Sequence, residues 1–150
     1  MRPRTDFSPD SHAFTYNDTD LIIDINGYFA APGQGGLSLY SSTPCRLLDT
    51  RNTSGAIAGE LTANVAGGPC GIPAAAQAYV FNATVVPASS LGFLSLWPDG
   101  QTQPLVSTLN AVDSATTSNM AMVPTLDGLI DSFASSPTQL ILDISSFFAQ

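Results

Sequence analysis

The feature that most constrains this chain is a strand it carries twice. Asp20-Leu-Ile-Ile-Asp-Ile-Asn-Gly-Tyr-Phe-Ala30 near the start returns as Gln139-Leu-Ile-Leu-Asp-Ile-Ser-Ser-Phe-Phe-Ala149 at the end. Over the longer alignment of Phe14–Ala30 with Phe133–Ala149, 8 of 17 positions are identical. Both copies alternate apolar and polar residues. Leu21, Ile23 and Ile25 oppose Asp24 and Asn26, just as Leu140, Leu142 and Ile144 oppose Asp143 and Ser145. A period of two marks a strand with one face buried. The copies lie 119 residues apart, far beyond solenoid periods and close to the size of a domain. The reading is therefore that residues 1–30 are the tail and closing strand of a preceding repeat, and 31–150 one complete repeat.

The rest of the chain reads as short strands with turn chemistry between them. Residues 1–19 suit a partly disordered tail with a short strand at His12–Tyr16, and Ala31-Pro-Gly-Gln-Gly-Gly36 suits a boundary between repeats. Strands are expected at Leu37–Tyr40, Arg46–Arg51, Tyr79–Val86, Phe93–Trp97, Leu105–Leu109, Asn119–Val123 and Leu129–Phe133, with the final strand at Gln139–Ala149. The Gly- and Ala-rich stretch Ala56–Pro73 reads as irregular, and Ala74–Ala78 as at most one helical turn. Strands at this spacing without a sustained helical period imply an all-β fold: an antiparallel β-sandwich, with a barrel or jelly roll as the alternative.

Composition excludes several functions. Only 11% of residues are charged, and the net charge is −8. No lysine occurs at all. Nucleic-acid binding rests on Lys and Arg neutralising phosphates, and anionic membranes attract the same residues. Neither partner suits this chain. No apolar run reaches the 18 or more residues that span a bilayer, and no signal peptide is visible after Met1; a fragment of a longer secreted protein would lack one, and otherwise the chain would be cytoplasmic and its two cysteines would need another explanation. Cys45 and Cys70, each preceded by Pro and the second followed by Gly, read as a disulfide closing a loop, with two free thiols as the alternative. A metal site is disfavoured, because no Cys-x-x-Cys spacing exists and the lone His12 lies in the tail.

Several segments in a fixed order resemble a β-rich repeat module of bacterial secreted and cell-surface proteins. They are Pro44-Cys-Arg-Leu-Leu-Asp-Thr-Arg51, Asn82-Ala-Thr-Val-Val-Pro87, Gly92-Phe-Leu-Ser-Leu-Trp-Pro-Asp-Gly100, Pro104-Leu-Val-Ser-Thr-Leu-Asn110 and the Asp-x-x-Gly-Tyr-Phe ending at Asp24–Phe29. Such modules stand in tandem or beside enzymes such as cell-wall amidases. The resemblance implies an extracellular or cell-surface location and a non-catalytic role in adhesion, wall or glycan contact, or spacing. Ser145-Ser-Phe-Phe148 departs from the usual Gly-Tyr-Phe ending.

The chemistry-bearing residues are few. Asp49 and Arg51, two apart, share a face of a strand, whereas Arg46, three from Asp49, would lie on the other face. The pair is either an ion pair tying a loop to the sheet or a grip for a carboxylate or sugar hydroxyls. Trp97 is the best candidate for a sugar-stacking ring, with Tyr40, Tyr79 and Phe93 as companions, although its strand is apolar on both faces and a core position suits it better. Asn110 completes the candidate ligand set. Asp113, Asp127 and Asp131 with Asn110 offer oxygen ligands for Ca²⁺, but no Asp-x-Asp-x-Asp-Gly loop occurs, so turn roles are expected. Asn82 is expected to bond backbone. No Gly-x-Ser-x-Gly elbow exists, and no cofactor motif. The rival reading is a small hydrolase acting on a glycan or ester around Asp49 and Arg51. The leftover strand 20–29, with its unpaired backbone, is expected to pair beside residues 138–148 or across a homo-oligomer interface.

Overall fold

The structure, a computed structural model, describes residues 14–18, 20, 21, 23, 25, 27–29 and 35–150. Seven strands run in order: β1 (Ser38–Asp49), β2 (Ile57–Asn64), β3 (Ala78–Pro87), β4 (Leu91–Pro98), β5 (Leu109–Ala111), β6 (Thr117–Pro124) and β7 (Leu129–Ala149). A 3-10 turn at Thr50–Asn52 separates β1 from β2. The all-β, antiparallel class expected from the sequence is what the chain adopts. All seven strands belong to one hydrogen-bonded sheet that nearly closes on itself, which is the barrel alternative rather than a sandwich of two separate sheets.

β7 is the spine, at 21 residues. Thr138 lies opposite both Ile57 of β2 and Pro87 of β3, which fixes the two flanks. Down one edge run β1 and then β2, end to end; down the other run β3 and then β4. Beyond β3 lies β6, and beyond β4 lies β5. The Asn119 amide donates to the Thr108 carbonyl at 2.8 Å and draws β6 towards the approach to β5. The duplicated sequence is thus the half of the spine held between β1 and β3.

Burial follows the alternation in part. Leu140, Leu142 and Ile144 are fully buried, opposite Val85, Ala83 and Phe81 of β3, and Ser145 is exposed, while Ile141 on the other face is buried as well. Two separations made from the sequence do not hold. Leu129–Phe133 and Gln139–Ala149 are one strand, because Pro137 falls where the ladder skips from Ala134 to Thr138 and no backbone N–H is needed there. Leu37–Tyr40 and Arg46–Asp49 likewise join in β1, across irregular steps between Ser41 and Cys45 and between Arg46 and Leu48.

Other expectations are corrected as well. Ala56–Pro73 is not irregular throughout: β2 occupies Ile57–Asn64, with Ile57, Gly59, Leu61 and Ala63 towards the interior side of its alternation. Leu105–Thr108 is not strand. There Ser95 donates its hydroxyl to the Val106 carbonyl and Thr108 accepts the Leu96 N–H, so side chains replace part of the ladder before the short β5. Ala74 and Ala75 form a turn with no helix, and Ala78 already opens β3. In the amino-terminal part, Phe14–Tyr16 is not strand, and Leu21, Ile23, Ile25 and Gly27–Phe29 carry no ladder. Both edges of 138–148 are already paired, by β1 and β3, so the first pairing expected for residues 20–29 is closed within the molecule. His12, Asp24, Asn26 and residues 31–34 of the expected boundary lie outside the described residues.

The entry into β7 is tightly built. Gly128 has φ +90° and is buried, its carbonyl accepts the N–H groups of Val65 and Ala66, and an added Cβ would stand 2.5 Å from Ala66 Cβ. Gly128→Ala therefore combines left-handed strain with overpacking and should lower stability by about 2–4 kcal/mol. Urea denaturation checks this; a loss under about 1 kcal/mol would show that the turn relaxes freely.

Candidate functional site

The candidate site grows out of the way β1 ends. Between Arg46, opposite Asp143, and Leu48, opposite Leu142, β1 contains one residue more than β7. That bulge, at Leu47, inverts the alternation. Arg46 and Asp49 therefore share a face despite their three-residue spacing, contrary to the expectation from a regular strand. Arg46 binds Asp143 through Nε and through Nη2 at 3.2 Å, and reaches Asp49 Oδ2 through Nη1 at 3.1 Å. Arg51 closes on Asp49 from the other side, Nε to Oδ1 at 2.9 Å and Nη2 to Oδ2 at 2.6 Å. Two arginines and two aspartates form one chain of ion pairs across β1 and β7.

Asp49 has a second task. Its Oδ1 accepts the Arg51 N–H at 3.1 Å and so caps the 3-10 turn. The turn lifts the chain off β7 and leaves Leu140 N–H without a backbone partner on that flank. Thr50, fully buried, fills the gap: its hydroxyl accepts Leu140 N–H at 2.9 Å and donates to Gln139 Oε1 at 2.6 Å. Sequence reasoning passed over Thr50, whose only signal was a hydroxyl next to the Asp–Arg pair. Thr50→Val keeps the shape and strands a buried N–H, so a loss of about 1–3 kcal/mol is expected in chemical denaturation. A neutral result would mean that water reaches Leu140.

The electrostatics follow from this geometry. Hydrogen bonds from the Arg51 side chain, opposed by burial and helped by the Arg51 N–H, hold the Asp49 carboxyl down at about 2 against an ordinary 3.8. Arg46 and Arg51 are held above their ordinary values, chiefly by hydrogen bonds to Asp143 and Asp49 respectively. Asp99 moves the other way, raised first by burial and then by Asp131 and Asp127. A depressed carboxyl stabilises the fold above its unfolded pKa, and that stability drains away as pH falls through the folded value. Asp49 should thus cost stability between about pH 4 and pH 2. Asp99 has the opposite sign. Asp99→Asn should raise the melting temperature at pH 7 and change it little well below pH 3.8, whereas Asp49→Asn should flatten the acid limb; melting curves from pH 2 to 7 test both.

The remaining candidates are not gathered here. Asp49 stands opposite Ile141 and Trp97 opposite Asp131, ten residues apart on β7, roughly 30 Å of extended strand. Trp97 is buried, its Nε1 donating to the Gln101 carbonyl at 3.0 Å. Asn110, exposed on β5, donates to the Gly92 carbonyl at 2.6 Å and accepts the Ser107 hydroxyl. Tyr79 is fully buried, Tyr40 stacks on Phe147 at 5.4 Å and Phe93 on Phe133 at 5.7 Å, so the aromatics do not form one platform. Asp113 and Asp127 accept the N–H groups of Ala115 and Leu129 in turns, and Asp131 accepts the Thr62 hydroxyl at 2.6 Å. Among the described residues no group of three His, Cys, Asp or Glu is placed to hold a metal ion.

An open groove of about 440 Å³ lies beside the ion pairs, lined by Pro44, Cys45, Arg46, Asn82, Asp143, Ile144 and Ser145. Asn82, expected to bond backbone, instead points its amide at Thr84 Oγ1, 3.4 Å away. The groove carries one carboxylate, Asp143, already gripped by Arg46. It holds no pair of facing carboxyls, no nucleophile with a base, and neither Trp97 nor Asn110. The Cys45–Cys70 disulfide forms, with Cα atoms 5.7 Å apart, and anchors the groove wall. No protein-family model, no curated protein and no solved structure matches this chain.

Proposed function

We propose that the chain is a non-catalytic extracellular module of a tandem-repeat surface protein, serving adhesion, wall or glycan contact, or spacing between copies. One observation carries this reading. The segment richest in chemistry, Arg46–Arg51, commits its polar side chains to contacts within the protein: Arg46 to Asp143 of β7 and to Asp49, Arg51 to Asp49, Asp49 to a cap and two guanidiniums, Thr50 to the backbone of the spine. A catalytic residue needs a lone pair or a proton free to meet a substrate, and these are already engaged by partners within the protein. The Cys45–Cys70 disulfide supports an oxidising, extracellular setting. Among the described residues no helix is long and apolar enough to cross a membrane.

The nature of a ligand follows from the same charges. Both arginines among the described residues are neutralised by carboxylates, so an anionic ligand finds no unpaired cation there. The half-exposed edge of Arg46 and the Asn82 amide, both lining the groove, suit a neutral, hydroxyl-rich ligand such as a glycan. A glycan array, with chromogenic glycosides and esters run on wild type and Asp49→Ala, tests the reading. No turnover is expected from either protein. Turnover abolished by Asp49→Ala would sink the non-catalytic role.

A further inference from the structure

The repeated strand is fully buried in one copy and open to water in the other. Leu140, Leu142 and Ile144 have no exposed surface, whereas their counterparts Leu21, Ile23 and Ile25 are 59%, 70% and 85% exposed. Tyr28 and Phe29 are exposed as well, at the places of Phe147 and Phe148, although the Phe29 ring leans on Phe148 with centroids 6.2 Å apart. Single exposed apolar residues are ordinary, but an alternating row ending in two aromatics is the buried face of a strand without its sheet.

We propose that Leu21–Phe29 completes the sheet of a second copy of this repeat, taking there the place that Leu140–Phe148 holds here. This rests on the repeat reading above and not on the absence of catalysis. The slot itself shows what it recognises. β1 and β3 flank the strand on its two edges, three aliphatic side chains fill the core, Tyr40 stacks on the aromatic at 147, and Arg46 grips the aspartate at 143. The other copy keeps each feature in its sequence: three aliphatics at the same spacing, a tyrosine for Phe147, and Asp24 in the place of Asp143. Only five of eleven residues differ between 20–30 and 139–149. Within one molecule the slot is occupied, since β1 and β3 already hold 138–149. The partner must therefore be a second molecule of this chain, one whose own closing strand has swung out. Such a contact joins unlike surfaces head to tail, so it propagates into chains rather than closing as a dimer.

Two experiments on the full chain test this. In the first, Gln139→Asp, Leu142→Ile, Ser145→Asn, Ser146→Gly and Phe147→Tyr together turn the closing strand into its amino-terminal counterpart. The variant should fold cooperatively with a melting temperature within several degrees of wild type; an unfolded product would show that the sequence does not fit the slot. In the second, light scattering follows mass against concentration. Oligomers are expected, appearing at a concentration at least tenfold lower in Leu142→Ala, whose own strand holds less tightly, and disappearing when Ile23→Asp and Ile25→Asp are added. Monomer at every concentration in both proteins, or oligomers indifferent to those aspartates, would overturn the proposal. Turnover in the glycan and ester assays would leave it standing, so the two readings fail separately.

Discussion

Replacing Cys45 and Cys70 together by serine should lower the free energy of unfolding by about 3.5 kcal/mol, which is the loop-entropy value for a sequence separation of 25. The loop so closed contains the 3-10 turn and all of β2. β1 and β2 lie end to end on the same flank of β7 and pair only with it. No ladder joins them, so the disulfide is the direct covalent tie between β1 and the segment that follows β2. Without it, the unfolded chain regains the freedom of that loop, while the folded state keeps the ladders to β7. Both cysteines are half-buried, so a serine hydroxyl adds little burial cost of its own. At a slope of ~1–2 kcal/mol per molar urea, the midpoint should fall by roughly 2 M. The slope should stay unchanged, since the same surface is exposed on unfolding. A shift below about 0.5 M would mean that the loop is ordered by other contacts even when cut loose.

What was legible in the sequence follows from which interactions are local. Tyr79–Val86 and Gln139–Ala149 could be read directly, because a strand packed on one face writes its burial into alternate residues, and these contain no breaker. β2 was missed although Ile57, Leu61 and Ala63 alternate, because Gly59 and the neighbouring Gly-rich run dilute the pattern. The unity of β7 was hidden by Pro137, since a proline ends a regular strand but is harmless where the ladder already skips. The Asp49–Arg51 pair was expected from a shared strand face, but Arg51 stands in the 3-10 turn that Asp49 caps, and the pair forms through that turn instead. Arg46 was not expected there, because its place beside Asp49 depends on a bulge set against β7, 97 residues away in sequence from Arg46 to Asp143. Trp97 and Asn110 were grouped with the pair by residue type alone, and their distance from it is set by register along the spine. Chemistry that depends on register cannot be read before the register is known.

Leu142→Ala should remove about 3–4 kcal/mol, among the largest losses a single substitution can cause here. Leu142 is fully buried and sits between Leu48 of β1 and Ala83 of β3. Its neighbours along the same face, Leu140 and Ile144, are also fully buried, and a close-packed ladder on both edges leaves the site little room to collapse around the missing atoms. Three residues on, Ser145 is exposed, and Ser145→Ala should change stability by under about 0.5 kcal/mol. The contrast within one strand measures how strictly β7 divides core from solvent. Its second consequence concerns cooperativity. β7 is the shared partner of β1, β2, β3 and β4, so loosening the spine at Leu142 should weaken amide-exchange protection on all four strands rather than on the adjacent pair alone. If protection fell only in β1 and β3, the two halves of β7 would be unfolding as separate units hinged at Pro137. A uniform loss would show that the long strand makes the seven-stranded sheet a single cooperative body.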